Sequence, residues 1–422
     1  MNKTAISEPQ NKTHDKLKTF SELSVSKLLK QNIENAGFNT PTPVQAVALP
    51  PALEGRDILG TAQTGTGKTL AFALPILERL MQSRGRQVEA LVLLPTRELA
   101  MQVLETMKLV GRGSGILATL VVGGLSESRQ LEEINRGARL IIATPGRLND
   151  YIERRLVDLR SVKILVLDEA DRMVDMGFLP QMKRIMNVIP KERQTMCFSA
   201  TLDSSVAHLV HQYLHDPVRV EIGSTIRPAE SVDLKIYEVI REQKFSLLTH
   251  LLNIEPGTFL IFCRTKHGAD KLAKKLAQGG FDASAIHGNK SQSQRTRALE
   301  GFKAQRPRIL VATDIAARGI HVDKIAHVIN YDMPQAPEDF IHRVGRTGRV
   351  EESGVATTFV MPEEIHDIKI IERKLGRTIE RVPVPAGLPV GPRSLYDETM
   401  DMRSRRAFNS GGPRHFRRRK RF

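Results

Sequence analysis

Two acidic side chains, Asp168 and Glu169, open the tetrapeptide Asp168-Glu169-Ala170-Asp171 at the end of an apolar run, Ile164-Leu165-Val166-Leu167. One hundred residues before Asp168, Lys68 and Thr69 close a Gly-rich stretch, Ala62-Gln63-Thr64-Gly65-Thr66-Gly67-Lys68-Thr69. Gly65 and Gly67 allow the backbone close to a phosphate, so successive N–H groups can point at its oxygens. A helix predicted to start near Lys68 aims its positive end at the same anion. Lys68 adds a point charge for the terminal phosphates, and the Thr69 hydroxyl can join a Mg²⁺ shell. Asp168 is then placed to hold Mg²⁺, and Glu169 to orient or deprotonate a water. Together these residues are the minimum equipment for hydrolysing ATP. The usual phosphate loop begins with Gly, and here that place is Ala62.

Hydrolysis also needs positive charge where the γ-phosphoryl group leaves. His342-Arg343-Val344-Gly345-Arg346-Thr347-Gly348-Arg349 offers it. Arg346 and Arg349 are three apart and can face one point in a helix or tight turn. Arginine suits phosphate through its planar fork. Such fingers can be worth ~10³-fold or more in rate.

Apolar runs spaced by helix-length segments must position these groups. Strands are predicted at 57–60, 90–94, 118–122, 140–143, 164–167 and 195–199, then at 258–262, 282–286, 309–312, 327–331 and 354–360. This alternation argues for α/β units around largely parallel sheets. The series breaks at the polar, Gly- and Pro-containing stretch 223–231, which reads as a linker. A flexible segment 1–19, a domain 20–222, a second domain 232–385 and a disordered basic tail 386–422 are therefore expected. The arginine segment falls in the second domain, so hydrolysis would depend on the two domains closing.

Composition bounds the rest. The 422 residues are 41% apolar, enough for real cores. No run reaches the ~18 apolar residues that a membrane span needs, and the polar N-terminus lacks a secretory core. The two Asn-Lys-Thr sequons there are accordingly read as chance. Cys197 and Cys263 are far apart and each sits in an apolar run, which argues against a disulfide framework or zinc site. A reducing cytoplasm, with no membrane partner, is the expected setting. The net charge is +16, of which residues 386–422 carry +7 and the remainder +9. Body and tail are both basic, pointing to a polyanionic partner.

These segments, in this order, resemble the DEAD-box RNA helicases of superfamily 2 over roughly residues 20–362. Phe20 and the stretch from Gly37-Phe38 to Pro41-Thr42-Pro43-Val44-Gln45 look like the Q motif. The resemblance implies that Gln45 reads the adenine edge and that Phe20 packs against the base. Ala62–Thr69 is the family's form of the phosphate loop, Ala62 included. Pro95-Thr96-Arg97-Glu98-Leu99-Ala100, Gly123-Gly124 and Thr144-Pro145-Gly146-Arg147 match RNA-contact motifs of the first domain. Ser199-Ala200-Thr201 matches the motif that couples hydrolysis to unwinding. In the second domain, Leu260–Thr265, with Arg264, and Gln292–Arg295 match RNA-facing or interdomain motifs. Gly288 and Thr313 join the implied RNA set, and Asp314 and Arg318 the coupling set. The implied fold is two tandem RecA-like domains with parallel sheets. His342 is implied near the catalytic water, with Arg346 and Arg349 as γ-phosphate fingers. One position departs: the family's ribose-contacting Asp is here His321, so that charge is lost.

The RNA-facing motifs are rich in Gly, Thr and Arg and poor in aromatics, with no Trp in the chain. Such groups hold phosphates and sugars without reading sequence. The family pattern adds 2′-hydroxyl contacts, which favour RNA over DNA. The final RHFRRRKRF, with six Lys/Arg and interleaved Phe416 and Phe422, reads as a non-specific RNA tether and a possible ribonucleoprotein contact. The compact form and the segment IERKLGRTIERVPVP resemble the bacterial RhlE-type branch. Two other readings stand beside this one: an ATP-gated RNA clamp that unwinds little, whose motifs would be nearly identical, and a DNA-directed motor, against which the DEAD, Ser199-Ala200-Thr201 and Q motifs argue by resemblance.

Overall fold

The structure, a computed structural model, describes residues 17–62, 66–202, 204–222, 232–317, 325–334, 336–348 and 354–391. Seven parallel strands form a first sheet: β1 Ile58–Thr61, β2 Ala90–Leu93, β3 Ala118–Val121, β4 Leu140–Ala143, β5 Ile164–Asp168, β6 Gln194–Ser199 and β7 Val218–Glu221, in the order β3-β4-β2-β5-β6-β1-β7. Seven more form a second: β8 Val232–Glu238, β9 Phe259–Phe262, β10 Ala283–Ile286, β11 Ile309–Ala312, β12 His327–Asn330, β13 Gly354–Val360 and β14 Glu380–Arg381, in the order β10-β11-β9-β12-β13-β8-β14. This is the expected tandem RecA-like α/β fold.

The continuous apolar runs follow from burial on both faces, as parallel sheets require. In β2, Ala90 and Val92 join one cluster with Ile142 and Val166, while Leu91 and Leu93 join the other with Ile141 and Leu165. The second sheet repeats the pattern. Leu260, Leu310 and Val328 face one side, and Phe259, Ile261 and Ile329 the other. Each fully buried Leu, Ile or Val contributes roughly 1.5–3 kcal/mol. Both cysteines are buried in these cores, and burial pushes their thiols far above the ordinary range, Cys197 to about 12.

All eleven expected strands are present. Three were not expected: β7, β8 and β14. β7 (Val-Arg-Val-Glu) and β8 (Val-Asp-Leu-Lys-Ile-Tyr-Glu) alternate apolar and charged residues, because each leaves part of one face exposed. β14 is only two residues, both exposed. The expected tail boundary is also corrected. Residues 386–391 lie on the second sheet's helices, where the Ser246 hydroxyl donates to the Pro389 carbonyl and Gly391 N–H to that of Glu242. The expected linker, 223–231, lies outside the described residues.

Strand order decides what meets what. The chain runs from β1 past two vacant places to β2, and β5 and β6 later fill them. The carboxyl ends of β5, β6 and β1 therefore stand side by side, with Thr61 opposite Ser199 and Asp168 opposite Phe198. Ligands of open α/β sheets bind at such carboxyl-end crevices.

Candidate nucleotide and nucleic-acid sites

Gly67 ends the phosphate loop at φ 89°, a conformation that favours glycine, and caps the helix Lys68–Gln82. A Cβ there would lie 2.5 Å from the Gln45 amide nitrogen. That amide is committed to the loop: Nε2 donates to the Gly67 carbonyl at 2.9 Å, and Oε1 accepts the Thr42 N–H at 2.9 Å. The Thr42 hydroxyl donates to the Thr66 carbonyl. Gln45 is thus first a brace of the loop, although its amide retains capacity for a base edge. Phe20 is buried in the first core cluster, with 6% of its surface exposed. Lys68 is also buried, and its ammonium donates to the Ala62 carbonyl at 2.9 Å. Thr69 is half-buried in the first turn of the same helix. Gln63, Thr64, Gly65, Arg318, His321 and Arg349 lie outside the described residues.

Asp168 ends β5, and its Oδ1 accepts the Glu169 N–H at 3.0 Å. Burial pushes its carboxyl up to about 6; Glu169 and Asp171 add to this, while Lys68 opposes it. Glu169 takes the left-handed conformation, φ 54° and ψ 51°, at the start of the helix Ala170–Asp175. Its Oε2 accepts from Arg172 Nη1 at 2.8 Å, and its Oε1 is buried without a hydrogen-bond partner. A raised Asp168 carboxyl beside a Glu169 oxygen without a hydrogen-bond partner suits a divalent cation and a polarised water. Among the described residues, no three His, Cys, Asp or Glu side chains gather into a metal cage. A Mg²⁺ completed by phosphate and water, rather than by protein alone, fits that donor set.

Asp171 does what neither of its acidic neighbours does. Its Oδ2 accepts the N–H groups of Ala200 and Thr201, each at 3.0 Å, and the Thr201 hydroxyl at 3.3 Å. Its own N–H donates to the Ser199 hydroxyl. Burial would raise its carboxyl, but His342, Arg172 and Lys68 outweigh that and hold it below the usual carboxylate range. His342 belongs to the helix Pro337–Val344 of the second sheet, so the charge of that half is felt at Asp171. Arg346 is 2% exposed, with its Nε donating to the His342 carbonyl. Arg343 braces this segment. It binds both oxygens of Asp314, at 2.6 and 2.8 Å, along with the Asp332 carbonyl, and its guanidinium lies over the Phe262 ring.

The candidate RNA residues cluster elsewhere. Arg97 follows β2, Gly123 and Gly124 follow β3, and Thr144–Arg147 follow β4; these three strands are neighbours on one side of the first sheet. Arg264, Gly288 and Thr313 follow β9, β10 and β11, neighbours on one side of the second. Arg97 lies against the glycine pair: a Cβ on Gly124, at φ 79°, would sit 2.1 Å from its Nη1. Arg147 is held by Glu127 at 2.9 Å and Asp150 at 3.2 Å, and Arg264 by Glu364 at 3.0 Å. Gly146 and Gly288 are exposed, and Thr313 is buried.

A second junction crosses between the halves here. Glu98, 5% exposed, pairs with Arg295 at 2.8 Å and accepts from Gln292 at 3.0 Å, while Arg97 Nη1 reaches Gln292 Oε1 at 3.4 Å. Glu98, Asp171, Arg172 and Arg343 were not assigned from the sequence. The partners of Glu98, Asp171 and Arg343 lie far away in the chain, and the i,i+3 spacing of Glu169 and Arg172 does not reveal that both are buried. A separate cavity of about 650 Å³, lined by Arg86, Arg155 and Leu159, opens at the opposite strand ends.

Two family models match the chain: DEAD/DEAH box helicase over residues 42–209, and helicase conserved C-terminal domain over 243–351. The DEAD-box ATP-dependent RNA helicase CshA of Geobacillus kaustophilus is 41% identical over 368 residues, covering 87% of this chain and 79% of that protein. Among solved structures, S. cerevisiae Dbp5 bound to RNA and ADP BeF3 aligns with a TM-score of 0.80 at 31% identity, covering 92% of this chain and 99% of that one. Mss116p bound to ssRNA and AMP-PNP gives 0.81 at 25% identity, covering 94% and 86%. The yeast Dbp5 variant bound to Nup159, Gle1, IP6 and ADP gives only 0.60. The two RNA- and nucleotide-analogue-bound structures thus align with this chain at higher TM-scores than that ADP-bound one.

Proposed function

This chain belongs to the DEAD-box ATP-dependent RNA helicases, and on that premise we propose that its hydrolysis is run by a composite site closed across two RecA-like domains, 20–222 and 232–385. The activity is ATP-dependent RNA unwinding. The observation that carries the composite reading is Asp171, which binds the Ser199-Ala200-Thr201 backbone on one side and feels His342 on the other.

Within that site Lys68 leaves the Ala62 carbonyl for the terminal phosphates, beside the loop residues Gln63, Thr64, Gly65, Thr66 and Gly67. Thr69 and Asp168 would hold a Mg²⁺, which would supply charge neutralisation at the phosphates. Glu169 accepts a proton from, or orients, the attacking water. Arg346 and Arg349, with His342, stabilise charge as the γ-phosphoryl group leaves. The two three-strand ledges grip the RNA backbone through Arg97, Arg147, Arg264 and their glycines. Arg147 and Arg264 are already paired with carboxylates, so phosphate oxygens would replace those carboxylates on binding. Closing the ledges bends one strand and locally opens a duplex. The basic tail tethers RNA and offers a surface to ribonucleoprotein partners; placement near the RhlE-type branch rests on the compact form and residues 371–385.

Multiple-turnover duplex unwinding, read beside ATPase with RNA and with DNA, tests this. Stimulation by RNA with steady unwinding is expected. Stimulation without unwinding would make the chain a clamp, and equal stimulation by DNA would make it a DNA motor. In the same assay, deleting residues 403–422 should raise the RNA needed for half-maximal ATPase, most at low salt. An unchanged requirement would leave the tail no part in RNA capture.

A further inference from the structure

Arg172 is among the largest fully buried side chains of the molecule, at 1% exposure. It lies one residue beyond the acidic tetrapeptide, pairs with Glu169 and lends charge to Asp171, yet the proposed hydrolysis gives it no role. A buried guanidinium is costly unless it is paired and hydrogen-bonded. Among the described residues, the guanidinium's side-chain partner is Glu169 Oε2, 2.8 Å from Nη1. Nη2 is buried with no hydrogen-bond partner. The structure therefore retains a charged side chain in a place where an apolar one would pack with less desolvation cost.

The geometry at Glu169 supplies a reason. The residue sits in the left-handed region, where a non-glycine residue is strained by about 1–3 kcal/mol. Its backbone turns the side chain back over the first turn of the helix Ala170–Asp175, so that Arg172, three positions on, meets one carboxylate oxygen. The other oxygen, Oε1, is left buried and without a hydrogen-bond partner. One oxygen is held and its twin is open, which is what a carboxylate needs to present a single defined lone pair to a water.

We propose that Arg172 is a positioning residue for hydrolysis. It locks Glu169 by Oε2 so that Oε1 faces the attacking water. The inference rests on the reading of Glu169 as the water-orienting carboxylate. Arg172 touches neither nucleotide nor RNA in this account, so its loss should be felt in turnover and not in nucleotide binding. Misplacing a reacting group by ~1 Å can cost ~10²-fold in rate.

The test compares wild type, Glu169→Gln, Arg172→Met, Arg172→Lys and the doubles Glu169→Gln/Arg172→Met and Glu169→Gln/Arg172→Lys. The readouts are kcat and KM for ATP at saturating RNA, with thermal melts alongside. Arg172→Met should lower kcat by about 30-fold or more with KM within about twofold of wild type. Lysine keeps the buried charge but not the fork. Arg172→Lys should melt near wild type, with kcat still lowered about tenfold. Each double should turn over no more slowly than Glu169→Gln alone, because Arg172 acts on the water through that carboxylate, and the lysine double keeps the charge near Asp171.

A well-folded Arg172→Met or Arg172→Lys with wild-type kcat would overturn the proposal. So would a double slower by the product of the single losses, since Arg172 would then be acting independently. If Arg172→Met does not fold, the lysine pair decides by the same criteria. Retained ATPase in Glu169→Gln would instead sink the underlying reading of Glu169, whatever the Arg172 variants do.

Discussion

Asp171 shows how a residue in a tetrapeptide acquires a separate task. Three donors from the Ser199–Thr201 segment converge on one of its oxygens. Hydrogen bonds to a charged acceptor are each worth about 1.5–3 kcal/mol. Asparagine would remove the charge and set an NH₂ group among donors. Asp171→Asn should therefore lower the unwinding rate by about tenfold to a hundredfold, since each ~1.4 kcal/mol is a factor of ten. Unwinding at the wild-type rate would reduce Asp171 to a structural strut. This residue was visible in the sequence, but its partner was not, because the Ser199 segment meets it only through the pairing of β5 with β6. Lys68, Asp168 and Glu169 were legible because a Gly-rich loop and a strand-ending acidic pair are local patterns. Arg343 was not, since it is explained by Asp314, 29 residues away, and Arg172 was not, since a nearby Glu does not announce that both will be buried.

The same limit applies to elements. Strands buried on both faces announce themselves as apolar runs, and these were found. β8 was missed because its alternation reflects a half-covered position near the sheet edge. The middle of the first sheet carries one polar clamp inside its apolar frame. Glu89, just before β2, accepts from Arg139 and Lys163, which precede β4 and β5, and from Ser83. Burial alone would raise its carboxyl, but Lys163, Ser83 and Arg139 together bring it down to about 2 from 4.5. A depressed carboxylate stabilises the fold above its unfolded value and stops doing so as pH falls through its folded value. Glu89→Gln should thus cost roughly 1–3 kcal/mol at neutral pH, discounted because Lys163 is half-exposed. That deficit should narrow as pH falls from 4.5 toward 2. Urea midpoints of both proteins at pH 7 and near pH 3 would show it, and a deficit that does not change with pH would contradict the clamp.

At the scale of the whole molecule, sheet order sorts the two ligands. The residues proposed for ATP on the first sheet come from β5, β6 and β1, and those proposed for RNA from β2, β4 and β3. Each set is completed across the cleft, by His342 at Asp171 and by Gln292 and Arg295 at Glu98. Either ligand that favours this closed arrangement must favour the other by the same factor. The direct measurement is the ATP dissociation constant with and without saturating single-stranded RNA, in Glu169→Gln protein so that ATP survives. The account predicts that RNA tightens ATP binding by about fivefold or more, and that ATP tightens RNA binding equally. An ATP affinity indifferent to RNA would contradict it.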